Sequence, residues 1–491
     1  MLIRNSLAHL IARLASLGAG LISIPLVAMT LGTESLGLVG VYATFLSMLG
    51  LFDLGLPMSV NHRLAVLVGR DAPRLVQDTL IRSLETVFWL MVGCFLLAGL
   101  LAKGPLTHHW LNVERLPRDL VETCLLLIVI GVAIRFPVAF YSNVLFAFDR
   151  HFYPNAVITA SAVARTAVAL VALVHYQVGL IGFFVIQLVA NAFEVILLAA
   201  GVWYASPNRL VRPQWIQLRQ LAGTAGILTA ISLTSVGLLQ IDKIILSKLL
   251  TLEDFGIYSA AYVLASGVFA LSYPVGNAAF PQLSQSLNQH KWDAATGLVR
   301  LSTEATVLLV VPLGCVLALQ SGPALDLLFL VRDVPPQLAA ILPLMMLGGI
   351  ANGLVTLPHL FQVASARALV VLWINVAFVV PYAVLAVLFS INWGVWGGAL
   401  AFALFNFVRL FVHWAVLLMS PAAAIWRPIP APVIGAIAAS MVLAWAVTLM
   451  PASQPGRIML LVVSVPVLMG LLTLGLPLSR QRLLARLHAR Q

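Results

Sequence analysis

The sequence predicts an all-α polytopic membrane protein with about 14 transmembrane helices. Three observations carry that expectation. Of the 491 residues, 61% are hydrophobic and only 9% charged. Soluble domains carry about 25% charged residues, so a water-soluble surface could not be covered. Mean hydropathy is +1.03. The apolar residues also fall into long runs, and a helix needs about 20 of them to cross the hydrocarbon core.

The runs are, in order, 7–31, 37–62, 83–102, 120–146, 155–175, 178–205, 221–248, 255–281, 301–320, 337–363, 368–390, 393–419, 430–450 and 457–477. The first continues to about Leu31 without a convincing small-residue cleavage site, so the expectation is a span and not a signal peptide. Pro25, Pro57, Pro137, Pro274 and Pro358 lie inside runs. Membrane helices tolerate them where neighbours satisfy the freed backbone groups, and bend there. The largest loop on the side opposite the termini, 103–119, leaves no room for an outward catalytic domain. No Walker-type phosphate loop occurs. Cys94, Cys124 and Cys315 all sit in apolar runs, with neither a disulfide framework nor metal-ligand spacing. The expectation is a protein that is not an enzyme and carries no cofactor or metal.

Fourteen spans put both termini on one side, and the cations say which. The termini and the loops on their side hold 17 Lys and Arg; the opposite loops hold 6. The positive-inside rule then places both termini in the cytoplasm of a bacterial inner membrane protein. The net charge of +11 reflects these basic loops, and not nucleic-acid binding. The basic tail, 478–491, fits a segment resting on anionic lipid headgroups. Five cations remain inside spans: Arg13, Arg135, Arg165, Lys243 and Arg409.

The chain also repeats itself. In "LGTESLGL" (31–38) and "LTLEDFGI" (250–257), Leu31, Glu34 and Gly37 match Leu250, Glu253 and Gly256 at an offset of 219. The same offset pairs Glu85 with Glu304. At an offset of 215, Gly179, Gly182 and Asn191 match Gly394, Gly397 and Asn406. The expected organisation is a six-helix lobe at 1–205, a second at 219–420, two extra helices within 430–477, and the tail.

"TLGTESLGLVGVYATFLSMLGLFDLGLP" (30–57) and "QIDKIILSKLLTLEDFGIYSAAYVLA" (240–265) resemble the openings of the two halves of the polysaccharide biosynthesis family, the Wzx-type flippases of lipid-linked oligosaccharides. "VGLIGFFVIQLVANAF" (178–193) and "WGVWGGALAFALFNFV" (393–408) are similar to its sixth and twelfth helices. That family belongs to the multidrug/oligosaccharidyl-lipid/polysaccharide exporter superfamily. The resemblance implies two lobes around a central cavity that opens to each side in turn. It also implies a flippase that moves an undecaprenyl-pyrophosphate-linked sugar unit, with membrane lipids and envelope polysaccharide assembly proteins such as a polymerase as partners. The alternative is a multidrug or small-solute exporter of the same superfamily.

A pyrophosphate with sugars attached cannot cross hydrocarbon without its water, so a flippase needs cations inside an apolar bundle. Arg135, Arg165, Lys243 and Arg409 are the candidates for a cationic lumen. Each could instead lock helices through an ion pair. Asp242, Asp53 and Glu194 are candidates for ion coupling. Asp242 and Lys243 point about 100° apart on a helix and are not expected to be simply each other's partner. Asn191 with Glu194, and Asn406 with Arg409, each share a helix face. Arg82 with Glu85, and Arg300 with Glu304, sit where a cytoplasmic gate would lie, although interfacial ion pairs are ordinary there.

Overall fold

The structure is a computed structural model that describes residues 18–52, 56–206, 226–330, 334–365, 367–420, 422–448 and 454–475. Asp53, Arg13 and the basic tail lie outside the described residues. The helices are α1 (Gly18–Leu31), α2 (Thr33–Phe52), α3 (Leu56–Gly69), α4 (Arg74–Pro105), α5 (Arg118–Arg135), α6 (Val138–Ala147), α7 (Phe152–Val174), α8 (Gly179–Ala205), α9 (Gly226–Leu249), α10 (Leu252–Ala270), α11 (Ser272–Asn288), α12 (Trp292–Leu319), α13 (Ser321–Leu328), α14 (Pro336–Ala364), α15 (Ala368–Leu418), α16 (Ala423–Trp426), α17 (Pro430–Thr448) and α18 (Gln454–Gly475). Among the described residues, eleven helices are long and apolar enough to cross a membrane. The all-α polytopic fold predicted from the runs is the fold observed.

Two proline and glycine positions shape the spans. Residues 120–146 form two helices, because Pro137 has no N–H to continue the ladder and α6 begins just after it. Residues 368–418 run as one element, α15, through Gly394, whose φ of 56° and ψ of −135° turn the chain sharply between two spans. Gly179, its partner at the offset of 215, opens α8 with φ of 69°. The two glycines matched at the offset of 215 thus both take a positive φ. Gly182 and Gly397 also share a role. A Cβ on Gly397 would lie 1.9 Å from the Phe389 carbonyl oxygen, and one on Gly182 would lie 2.6 Å from Val178 Cβ. These glycines let the chain fold back on its own preceding turn.

The chain divides into two compact units, Met1–Gly256 and Ile257–Gln491. In the first, α8 packs on α5 and α7, α3 on α6, and α2 on α9. Its core includes Phe88, stacked on Phe140 with ring centroids 5.0 Å apart, together with Leu80, Leu84, Leu145, Leu198 and Val202. In the second, α14 packs on α11, α12 and α15. Val316, Ala444 and Leu468 join α12 to α17 and α18.

Polarity is distributed for lipid. Trp373, Val376, Val380, Val384, Leu388 and Ile391 form an exposed stripe along α15. Asn191, Glu194, Gln362, Asn375, Asn406 and His413 are fully buried. An apolar stripe of this length would be costly in water and is at home in hydrocarbon.

Candidate functional site

In the first unit the intramembrane arginines converge on α8. Arg135, the last residue of α5, reaches Glu194 with Nη2 3.2 Å from Oε1. Arg165 of α7 donates from Nη1 to Asn191 Oδ1 at 3.1 Å. Asn191 is held in turn, because its Nδ2 donates to Tyr42 Oη at 2.9 Å and to the Gly131 carbonyl at 3.1 Å. Asn191 and Glu194 lie three residues apart, so one face of α8 presents an amide and a carboxylate to two guanidiniums. Glu194 has no exposed surface, and its Oε2 has no hydrogen-bond partner. The Arg135 side chain is 23% exposed and Arg165 is half-buried. Of the two cations one takes the carboxylate and the other the neighbouring amide, and both keep an accessible edge. Such an arrangement can hold a dianionic group through bidentate guanidinium contacts. Tyr42 was not singled out by the sequence, since a lone tyrosine in an apolar run carries no spacing signal.

Arg82 and Glu85 form a second network in the same unit. Their ion pair measures 2.5 Å. Arg82 Nη2 also donates to the Ser206 carbonyl at 2.8 Å, and Ser206 Oγ donates to Asp78 Oδ1 at 2.5 Å. Glu85 Oε1 accepts from Tyr141 Oη at 2.8 Å and from Trp203 Nε1 at 3.1 Å. The pair therefore ties α4 to α6 and α8. Its expected counterparts differ, with Arg300 exposed and Glu304 buried on the next turn of α12.

Asp242 and Lys243 are 1% and 4% exposed. Lys243 Nζ donates to the Leu239 carbonyl at 2.6 Å and to Asp242 Oδ1 at 3.1 Å. Helical geometry had set the two directions apart, but the long lysine stem folds back along the helix and closes the gap. Once away from water, the ammonium takes the nearest carboxylate and carbonyl. Arg409 of α15 is 5% exposed, and its Nε has no partner.

The segment between α4 and α5 straps across the turn between α9 and α10. Glu34, at the start of α2, accepts backbone N–H bonds from Glu114 at 2.8 Å, Arg115 at 3.0 Å and Leu116 at 2.8 Å. The Asn112 carbonyl accepts from the Leu252 amide at 2.8 Å, and its Nδ2 donates to the carbonyls of Lys248 and Leu250. Arg115 pairs with Glu253 at 3.2 Å, and Thr33 Oγ1 donates to the same carboxylate. Under the strap the two matched turns touch, and a Cβ on Gly256 would lie 2.5 Å from the Gly37 amide nitrogen. Glu34 and Glu253 stood out in the sequence only as repeat markers. Their partners are mainly backbone groups of a loop distant in sequence, which no residue pattern announces.

The fold matches solved membrane transporters. The lipid II flippase MurJ, in an inward closed conformation, superposes with a TM-score of 0.73 at 13% identity, over 96% of this chain and 98% of that one. An inward-facing multidrug resistance MATE transporter of the MOP superfamily gives 0.68 at 13% identity, over 85% and 96%. A MOP superfamily transporter from Pyrococcus furiosus gives 0.59 at 12% identity, over 86% and 95%. No curated protein sequence matches the chain. Residues 2–287, more than half of the 491, match the family described as polysaccharide biosynthesis protein, and the chain belongs to that family.

Proposed function

We propose that the protein is a flippase that carries an undecaprenyl-pyrophosphate-linked oligosaccharide or polysaccharide repeat unit across the bacterial inner membrane by alternating access. The observation that carries this reading is the node of Arg135, Arg165, Asn191 and Glu194. Two guanidiniums with one carboxylate leave an excess of positive charge inside an apolar bundle, and both arginines keep an accessible edge. A diphosphate is the group that such a pair suits, because each planar fork can take two phosphate oxygens. The sugar headgroup travels along the polar interior while the prenyl chain stays in lipid, so neither phosphate nor hydroxyl meets hydrocarbon unpaired.

Family membership and the structural likeness to a lipid II flippase support the same reading. An exporter of cationic drugs is less well served by a node with more guanidinium than carboxylate. In this reading both termini are cytoplasmic, the lobes follow the two halves of the repeat, and Arg82 with Glu85 fastens the cytoplasmic mouth of the first. The test is a deletion strain without a paralogue. Lipid-linked oligosaccharide should still be made but remain on the cytoplasmic leaflet, as read by labelling the periplasmic leaflet of spheroplasts. Normal labelling would end the flippase reading.

A further inference from the structure

In the second unit a buried cation, Arg409, forms no salt bridge among the described residues. Arg409 lies on α15, and one turn further along the same face is His413, which has no exposed surface. His413 Nδ1 lies 2.7 Å from Gln362 Oε1 of α14. An amide oxygen can only accept, so this ring nitrogen carries the hydrogen. Gln362 is itself fully buried, and its Nε2 has no partner. His359, three residues earlier on the same face of α14, brings its ring centroid to 5.9 Å from that of His413. Arg409 Nε, Gln362 Nε2, His413 Nε2 and His359 Nδ1 are all buried without a hydrogen-bond partner.

Among the described residues no carboxylate pairs with Arg409. The repeat shows why this is unusual. At the offset of 215 Arg409 corresponds to Glu194, which answers Arg135 in the first unit. The second unit has a cation where the first has an anion, and among the described residues it forms no salt bridge. A buried charge is retained when it is paired. Here the unpartnered donors on offer are Arg409 Nε and the Gln362 amide.

We infer that Arg409, Gln362, His413 and His359 form a binding site for a small inorganic anion of chloride size, built from residues of the second unit alone. The anion supplies the countercharge that no side chain provides. It accepts from the guanidinium and from the Gln362 amide, with the two imidazoles as its walls. Full burial of Gln362 and His413 suits a small bare ion over a phosphate that carries a lipid or sugar.

The test uses the full-length protein in detergent, melted in sodium gluconate as chloride replaces gluconate at constant ionic strength. Chloride should raise the melting temperature logarithmically, by about 3 °C once it stands about ten-fold above its dissociation constant. Arg409→Gln should abolish the titration, and Arg165→Gln should keep it. Should Arg409→Gln fail to fold, Gln362→Leu keeps the cation and loses the amide, and the rise should begin at about tenfold higher chloride. Binding of radiolabelled chloride provides a second readout that does not depend on melting. Identical melting of the wild type in chloride and gluconate, or an unchanged titration in Arg409→Gln or Gln362→Leu, overturns the site. Stabilisation by inorganic phosphate in place of chloride overturns the assigned size.

Discussion

Replacing Arg135 or Arg165 by alanine separates a lock from a binding group, and the structure gives the two changes different costs. Arg135→Ala leaves Glu194, fully buried and with Oε2 already unpartnered, without its only ion-pair partner. Removing one member of a buried pair costs about 3–5 kcal/mol. The 23% exposure of the Arg135 side chain weakens the pair, so the lower end, about 3 kcal/mol, applies. Arg165→Ala strips one donor from a neutral amide oxygen, while Asn191 keeps its bonds to Tyr42 and Gly131. A single neutral acceptor left in this way costs about 1 kcal/mol. The gap of about 2 kcal/mol corresponds to about 4 °C in melting temperature for a long chain. The assay is thermal melting in detergent alongside export of the lipid-linked sugar, for both alanine variants and their lysine counterparts. Arg165→Ala should melt close to the wild type and lose export, while Arg165→Lys should recover part of it, keeping the charge without the fork. Arg135→Ala should melt clearly lower, and adding Glu194→Ala should restore most of that loss without restoring export. Equal melting of Arg135→Ala and Arg165→Ala would refute the assignment of the carboxylate to Arg135. Full export by Arg165→Ala would refute the binding role.

Two further outcomes follow from backbone geometry. Glu34→Gln keeps one acceptor where three amides converge and places an NH2 against the others, a loss of about 3 kcal/mol; hydrogen exchange at the amides of residues 114–116 should accelerate about 100-fold, and unchanged protection would show that the carboxylate does not hold the strap. Gly394→Ala places a Cβ where φ is 56° and ψ is −135°, at a cost of about 1–3 kcal/mol, so the melting temperature should fall by a few degrees; an unchanged value would mean that the turn inside α15 relaxes freely.

The long apolar runs made the helices legible, because length and hydropathy are local properties. Their joints were less so. Runs 368–390 and 393–419 read as two spans, and they are joined through a single glycine with no loop between them. Run 120–146 read as one span, and it breaks at Pro137. In the site, the charges stood out against apolar sequence, and the Arg135–Glu194 contact was among the alternatives open at that stage. The support around them did not stand out. Tyr42 and the Gly131 carbonyl orient Asn191 from other helices, and such contacts leave no spacing in the chain. Asp242 and Lys243 show the opposite failure, since helical direction alone separated two residues that a flexible stem brings together.

The contact of Gly37 with Gly256 has a consequence for the origin of the chain. These positions match at the offset of 219, and they touch each other. In a two-fold homodimer the same patch on each subunit meets its own copy, so a residue near the axis faces itself. The seam between these turns has that form within one polypeptide. A half-length protein with one such turn carries both sides of the contact and can pair with a second copy through it. Gene fusion would then preserve an existing dimer interface and need not invent a new one. The strap from residues 106–117, which binds Glu34 and Glu253 by different means, breaks the symmetry that such an ancestor would have had.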